Sequence, residues 1–136
     1  MTAKSLTLTE YDAIAESYEN IVETIPIRLI YQHNLMLRLG DVRGLDVLDL
    51  ACGPGVYTRE FRQMGARRVV GIDISSEQIR LARERDSREN LGIEYLVGDV
   101  AEVGKLGEFD VVSAAMLLHY SPTEEFLAKA CRSIAC

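Results

Sequence analysis

The chain has no tryptophan and only three prolines and three cysteines in 136 residues. Cys52, Cys131 and Cys136 make neither a CxxC pair nor an even disulfide framework, so reduced structural thiols are expected. The two histidines, His33 and His119, complete no zinc set with them, and no metal is expected. No apolar run approaches the roughly 20 residues that span a bilayer. The N-terminus MTAKSLTLTEYD lacks an apolar signal core, which points to the cytoplasm. A basic excess is also missing: 15 Lys and Arg stand against 21 Asp and Glu, a net charge of −6. Nucleic-acid binding draws on clustered cations, so neither nucleic acid nor membrane is expected as a partner. The one basic-rich stretch, Arg80 to Arg88, is interleaved with Glu84 and Asp86 and reads as a salt-bridged helix face. A small-molecule partner is left.

What the chain does have is the composition of one globular domain, 48% apolar and 26% charged. Its first 40 residues read as helical. Tyr11, Ile14, Tyr18, Ile21, Val22 and Ile25 make one apolar stripe after Thr9. Pro26 ends or restarts that helix, and a second runs through Ile27 to Leu39 before Gly40. From residue 41 the pattern changes to strand and helix in alternation. Leu45–Leu50, Arg68–Asp73, Ile93–Val97 and Phe109–Ser113 are short apolar runs that read as buried strands. Helices are predicted from Val56 to Met64 and from Ser75, where Gln78 completes a capping box. A last helix is predicted with Ser121 as N-cap, Pro122 at the first position and Glu124 at the third. Such alternation calls for a parallel sheet with helices on its faces.

Asp49-Leu50-Ala51-Cys52-Gly53-Pro54-Gly55 stands at the carboxyl end of the first strand, where doubly wound sheets bind ligands. A GxG turn alone is weak, since strand-to-helix turns use glycine for purely local reasons. A dinucleotide fingerprint would seat a pyrophosphate there, and Asp49 would repel it; Thr58 also stands where the third glycine belongs. Both departures favour a ligand with a cationic part and no phosphate. Asp73 ends the second strand, where an acid accepts from ribose hydroxyls. Asp99 follows the third strand and either accepts an adenine amino group, with Val100 against the ring, or is an ordinary Gly-Asp turn. Three acids at three successive strand ends are hard to explain by turn chemistry.

VLDLACGPG, VVGIDIS, YLVGDV and FDVVSAAMLLHY resemble, in order, the motifs of the class I S-adenosylmethionine-dependent methyltransferases, over about Tyr11 to Ile134. The resemblance implies a Rossmann-like sheet of order 3-2-1-4 over residues 41–136, under a helical lid of residues 1–40. It implies S-adenosylmethionine as cofactor and a small molecule as methyl acceptor. Asp49, Ala51, Gly53 and Gly55 would surround the methionine part and Asp73 the ribose. Ile74 and Gln78 would lie against the adenine, Asp99 and Val100 at the base edge, and Ala114 beneath the cofactor. Ala51 departs from the glycine the family often has. Tyr18 of the lid either bonds the methionine carboxylate or faces the core stripe. His119 either takes a proton from the acceptor or packs under its loop.

The family pattern continues into a glycine turn and a fifth strand, whereas this sequence ends CRSIAC. A fragment is the first expectation; a homo-oligomer covering the exposed edge of the fourth strand and a degenerate chain are the others. Two further functional readings stay open beside the methyltransferase: an NAD(P)-dependent oxidoreductase, and a non-catalytic protein that keeps the cofactor fold.

Overall fold

A computed structural model describes residues 26–115, 117 and 123–135. Helix α1, Pro26–Leu39, ends at Gly40, whose φ of +75° and N–H bond to the Met36 carbonyl close it as the sequence predicts. Strand β1 (Asp46–Leu50), helix α2 (Val56–Gln63), strand β2 (Arg68–Asp73), helix α3 (Ser76–Glu89) and strand β3 (Glu94–Val97) then alternate. A 3₁₀ helix over Val100–Leu106, for which the sequence offered no signal, leads to strand β4 (Val111–Ser113) and helix α4 (Glu124–Ala135). All strands are parallel, in the order β3-β2-β1-β4, the order that the motifs imply.

The two-residue pleat divides the core between the faces of the sheet. Leu48, Leu50, Val70 and Ile72 face the side covered by the 3₁₀ helix, with Val100, Val103 and Ile134 packed there. Val47 and Val69 face the other side, against Phe61 of α2, Ala66, Val42 and the α1 residues Leu35, Met36 and Leu39. Asp49 and Gly71 fall on that second face too, opposite each other in register. That parity puts the Asp49 carboxylate under α2.

Three local expectations are corrected. The capping box at Ser75 is half made: its hydroxyl accepts from the Gln78 N–H at 3.2 Å. The Ser75 N–H goes instead to Asp73 Oδ1 at 2.9 Å, a closer acceptor that leaves Gln78 Oε1 without a partner. The fourth strand starts at Val111 rather than Phe109, whose ring lies outside the ladder with the Arg68 guanidinium 5.0 Å from its centroid. The last helix starts at Glu124, its first bond running from Leu127 N–H to the Thr123 carbonyl, so the predicted start is two residues early. Ser121 and Pro122 lie outside the described residues, as does the predicted first helix.

Candidate functional site

The carboxyl ends of β1, β2 and β3 open on the same edge of the sheet, with the turn of residues 51–55 standing over β1. Ala51, Gly53 and Gly55 all have positive φ, of 52°, 54° and 78°. The turn is wound so tightly that it uses its own donors. Gly53 N–H donates to Asp73 Oδ2 at 2.8 Å and Gly55 N–H to the Cys52 carbonyl at 3.0 Å, while Pro54 has no N–H. A diphosphate is held by unpaired backbone N–H groups, and none of these three positions supplies one. Asp73, with one oxygen on Gly53 and the other on Ser75, staples the turn to the start of α3.

Asp49 is 2% exposed. Thr58, in the first turn of α2, donates its hydroxyl to Asp49 Oδ2 at 2.6 Å, a short charge-assisted bond. The two departures from the dinucleotide fingerprint are thus bonded to each other. Ser113, level with Asp49 in the β1–β4 register, also favours the ionised form, although its hydroxyl stands outside hydrogen-bond geometry. Burial outweighs both hydroxyls, and with the nearby Asp73 charge it pushes the Asp49 carboxyl up to about 6. Beside it the Cys52 thiol is buried, and that burial raises it well above the ordinary range, as fits an unreactive structural thiol.

Comparison with known proteins meets this geometry. The family profile described as a methyltransferase domain matches residues 47–135, from β1 to the end of α4. This chain belongs to the class I S-adenosylmethionine-dependent methyltransferase family. It is 29% identical over 111 residues to a ubiquinone biosynthesis O-methyltransferase of Bordetella avium strain 197N, covering 80% of this chain and 44% of that protein. It is 30% identical over 121 residues to a demethylmenaquinone methyltransferase of Lactococcus lactis subsp. lactis strain IL1403, covering 82% and 47%. The chain therefore spans less than half the length of these curated relatives. The solved complex of DhpI with SAH superposes with a TM-score of 0.74 at 28% identity, over 98% of this chain and 64% of that one.

Within this methyltransferase domain the implied site residues that the structure describes stand at one edge of the sheet, but their side chains differ in what they can reach. Ile74 is 54% exposed just past β2, and Val97, paired with Asp73 in the β2–β3 register, is 51% exposed at the end of β3. Gln78 is buried, with its Oε1 unpartnered and 3.9 Å from where a Cβ on Gly53 would stand. Asp99 is exposed. Val100 is buried in the core beside Leu48 and Ile72, which leaves its backbone as the part that can face a ligand. Ala114 follows β4, packed against the same cluster. Tyr18 and His119 lie outside the described residues. Among the described residues there is no group of three or more metal-ligating side chains, and no helix is long and apolar enough to cross a membrane.

The sequence reading missed Thr58 as the partner of Asp49 and Ser113 as its neighbour; the register that brings Ser113 level with it is invisible before the sheet is assembled. Ala51 gains a physical meaning. A left-handed alanine costs roughly 1–2 kcal/mol that glycine does not pay, which explains why glycine suits this place. Ala51→Gly should leave the fold intact and raise its unfolding free energy by about 0.5–1 kcal/mol, part of the relief being offset by the freer unfolded chain. Urea denaturation measures this, and a loss of stability would show that the Ala51 methyl makes a contact worth more than its strain.

Proposed function

We propose that this chain binds S-adenosylmethionine across the carboxyl ends of β1, β2 and β3, as the cofactor part of a methyltransferase acting on a small molecule. The observation that carries this reading is a turn whose N–H groups are spent or absent at residues 53–55 while Asp49 and Asp73 stand around it. Such a site repels diphosphate and favours a cation. The unpartnered Gln78 Oε1, buried beside Gly53, fits a ligand that brings a polar group of its own. When bound, the cofactor supplies an electrophilic methyl group on a sulfonium. The residues of the chain bind and align. Asp73, at the end of β2, accepts from the ribose hydroxyls. Ile74 and Gln78 flank the base, Asp99 and the backbone of Val100 meet its edge, and Ala51, Gly53 and Gly55 let the methionine part approach closely. Ala114 lies beneath, Tyr18 covers the carboxylate end and His119 takes a proton where the acceptor carries one. Alignment of nucleophile and methyl can itself supply several kcal/mol, roughly 7–11 in the best intramolecular cases, so a dedicated base is optional. The relatives named for ubiquinone and demethylmenaquinone support a small-molecule acceptor.

Calorimetry tests the reading: S-adenosylhomocysteine should give heat of binding and NADH none. Folded protein that binds NADH and ignores S-adenosylhomocysteine would reverse it. Acidity adds a signature with the cationic cofactor itself. Asp49 has a folded-state value raised from 3.8 to about 6. Its neutral form therefore favours the ligand-free fold at low pH, and that contribution is lost as the pH rises through about 6. A cationic ligand prefers the ionised form, so affinity should climb between pH 5 and 7, by up to about tenfold per unit below the midpoint, with proton release. Affinity that stays flat across this window would show that the ligand does not feel Asp49.

A further inference from the structure

Beneath the turn lies a charged group that the proposed cofactor chemistry does not use. Arg59, in the first turn of α2, is only 7% exposed. Its Nη1 donates to the Pro54 carbonyl at 2.8 Å, and its Nε lies 3.4 Å from Glu89 Oε1 at the last residue of α3. Glu89 is held in turn by Gln63 Nε2 at 3.0 Å. Tyr95 of β3 reaches the same place from the sheet. A Cβ on Gly55 would stand 2.9 Å from Tyr95 Cζ, and one on Gly71 would stand 2.9 Å from its Cδ1, so the ring lies against both glycines. The phenol is buried without a hydrogen-bond partner, which raises its pKa.

A buried guanidinium is costly, and an aliphatic side chain would fill such a space more cheaply. What the guanidinium adds is direction: a charge-assisted bond to one particular carbonyl of the turn. Asp73 fixes the turn on the ligand side through Gly53, Arg59 fixes it from below through Pro54, and the Tyr95 ring sets how low Gly55 can sit. We propose that Arg59 and Tyr95 are positioning residues for the cofactor turn, acting through Pro54 and Gly55 and not on the ligand. The inference rests on the reading that this turn receives S-adenosylmethionine. Without the strap, the run of left-handed residues at 51, 53 and 55 is no longer held ready, and binding must re-order it.

Arg59→Met keeps the apolar stem and deletes the charged head. In the full chain it should weaken S-adenosylhomocysteine binding about tenfold, the worth of one charge-assisted bond. Amide hydrogen exchange of the ligand-free protein should speed up at Gly53 and Gly55 and stay unchanged at Val47 and Val70 in the sheet. Arg59→Lys, which can still donate to the Pro54 carbonyl, should recover most of the affinity and protection. Wild-type affinity in Arg59→Met, or exchange that rises equally in turn and sheet, overturns the proposal in favour of a purely structural arginine. If Arg59→Met does not fold, Tyr95→Leu decides by the same two readouts, with tenfold weaker binding and a selectively faster turn expected, and no change in either overturning it. Exchange is read without ligand, so a wild-type chain that fails to bind S-adenosylhomocysteine sinks the proposed function and leaves this test standing.

Discussion

Asp73→Ala should abolish measurable binding of S-adenosylhomocysteine while leaving a folded protein. The Asp73 carboxylate does two things at once. Its oxygens accept from Gly53 N–H at 2.8 Å and Ser75 N–H at 2.9 Å, and it is the group proposed to meet the ribose. Two charge-assisted bonds to a ligand are worth about 1.5–3 kcal/mol each, so their joint loss lowers affinity by a factor of roughly 100 or more. The turn also loosens, since a backbone donor stranded in a half-buried place costs about 1–3 kcal/mol. Asp73→Asn keeps one carbonyl acceptor for the backbone and should fall between the two. Titration calorimetry reads the outcome. Binding within threefold of wild type in a folded Asp73→Ala protein would remove the acid from the site.

Gly55→Ala should be the most destabilising single methyl addition in the turn. Its φ of +78° places an L residue in left-handed backbone, at roughly 1–2 kcal/mol. The added Cβ would also stand 2.9 Å from Tyr95 Cζ, on a ring already lodged against Gly71. Overpacking of that kind costs about 1–3 kcal/mol, for a total of roughly 2–5 kcal/mol. Gly53→Ala makes the contrast: it has a similar φ of +54°, but its nearest obstacle is Gln78 Oε1 at 3.9 Å, an ordinary contact. It should lose only the backbone cost, about 1–2 kcal/mol. Denaturant melts of the two variants side by side measure the difference. Equal losses would show that Tyr95 yields without cost.

Strand positions were legible in the sequence because they depend on local pattern, whereas their order came only with the resemblance of the motifs to a known family. Arg68–Asp73 reads as β-branched and apolar, and the structure ends that strand at the same residues. The glycine turn and the acids at strand ends were legible for the same reason, being residue types fixed at strand termini. What was not legible depends on neighbours far apart in the chain. Ser113 meets Asp49 only through the register of β1 with β4, and Tyr95 meets Gly55 only once β3 has been laid beside β2. The Ser75 capping box fails in its second half because Asp73 sits closer to the same N–H, a competition that no spacing rule weighs. Nothing in the immediate sequence of Arg59 reveals the Pro54 carbonyl to which it donates.

The mutual bond between Asp49 and Thr58 bears on how such a fold changes allegiance over evolution or in the hands of an engineer. Restoring glycine at 58 by itself strands a buried acid; removing the acid by itself leaves a threonine hydroxyl without an acceptor. Even both exchanges together would not free the Gly53 N–H from Asp73. Passage from a cationic ligand to a dinucleotide would therefore cross, in either order of exchange, an intermediate worse than either end, a barrier of epistasis written into one 2.6 Å contact.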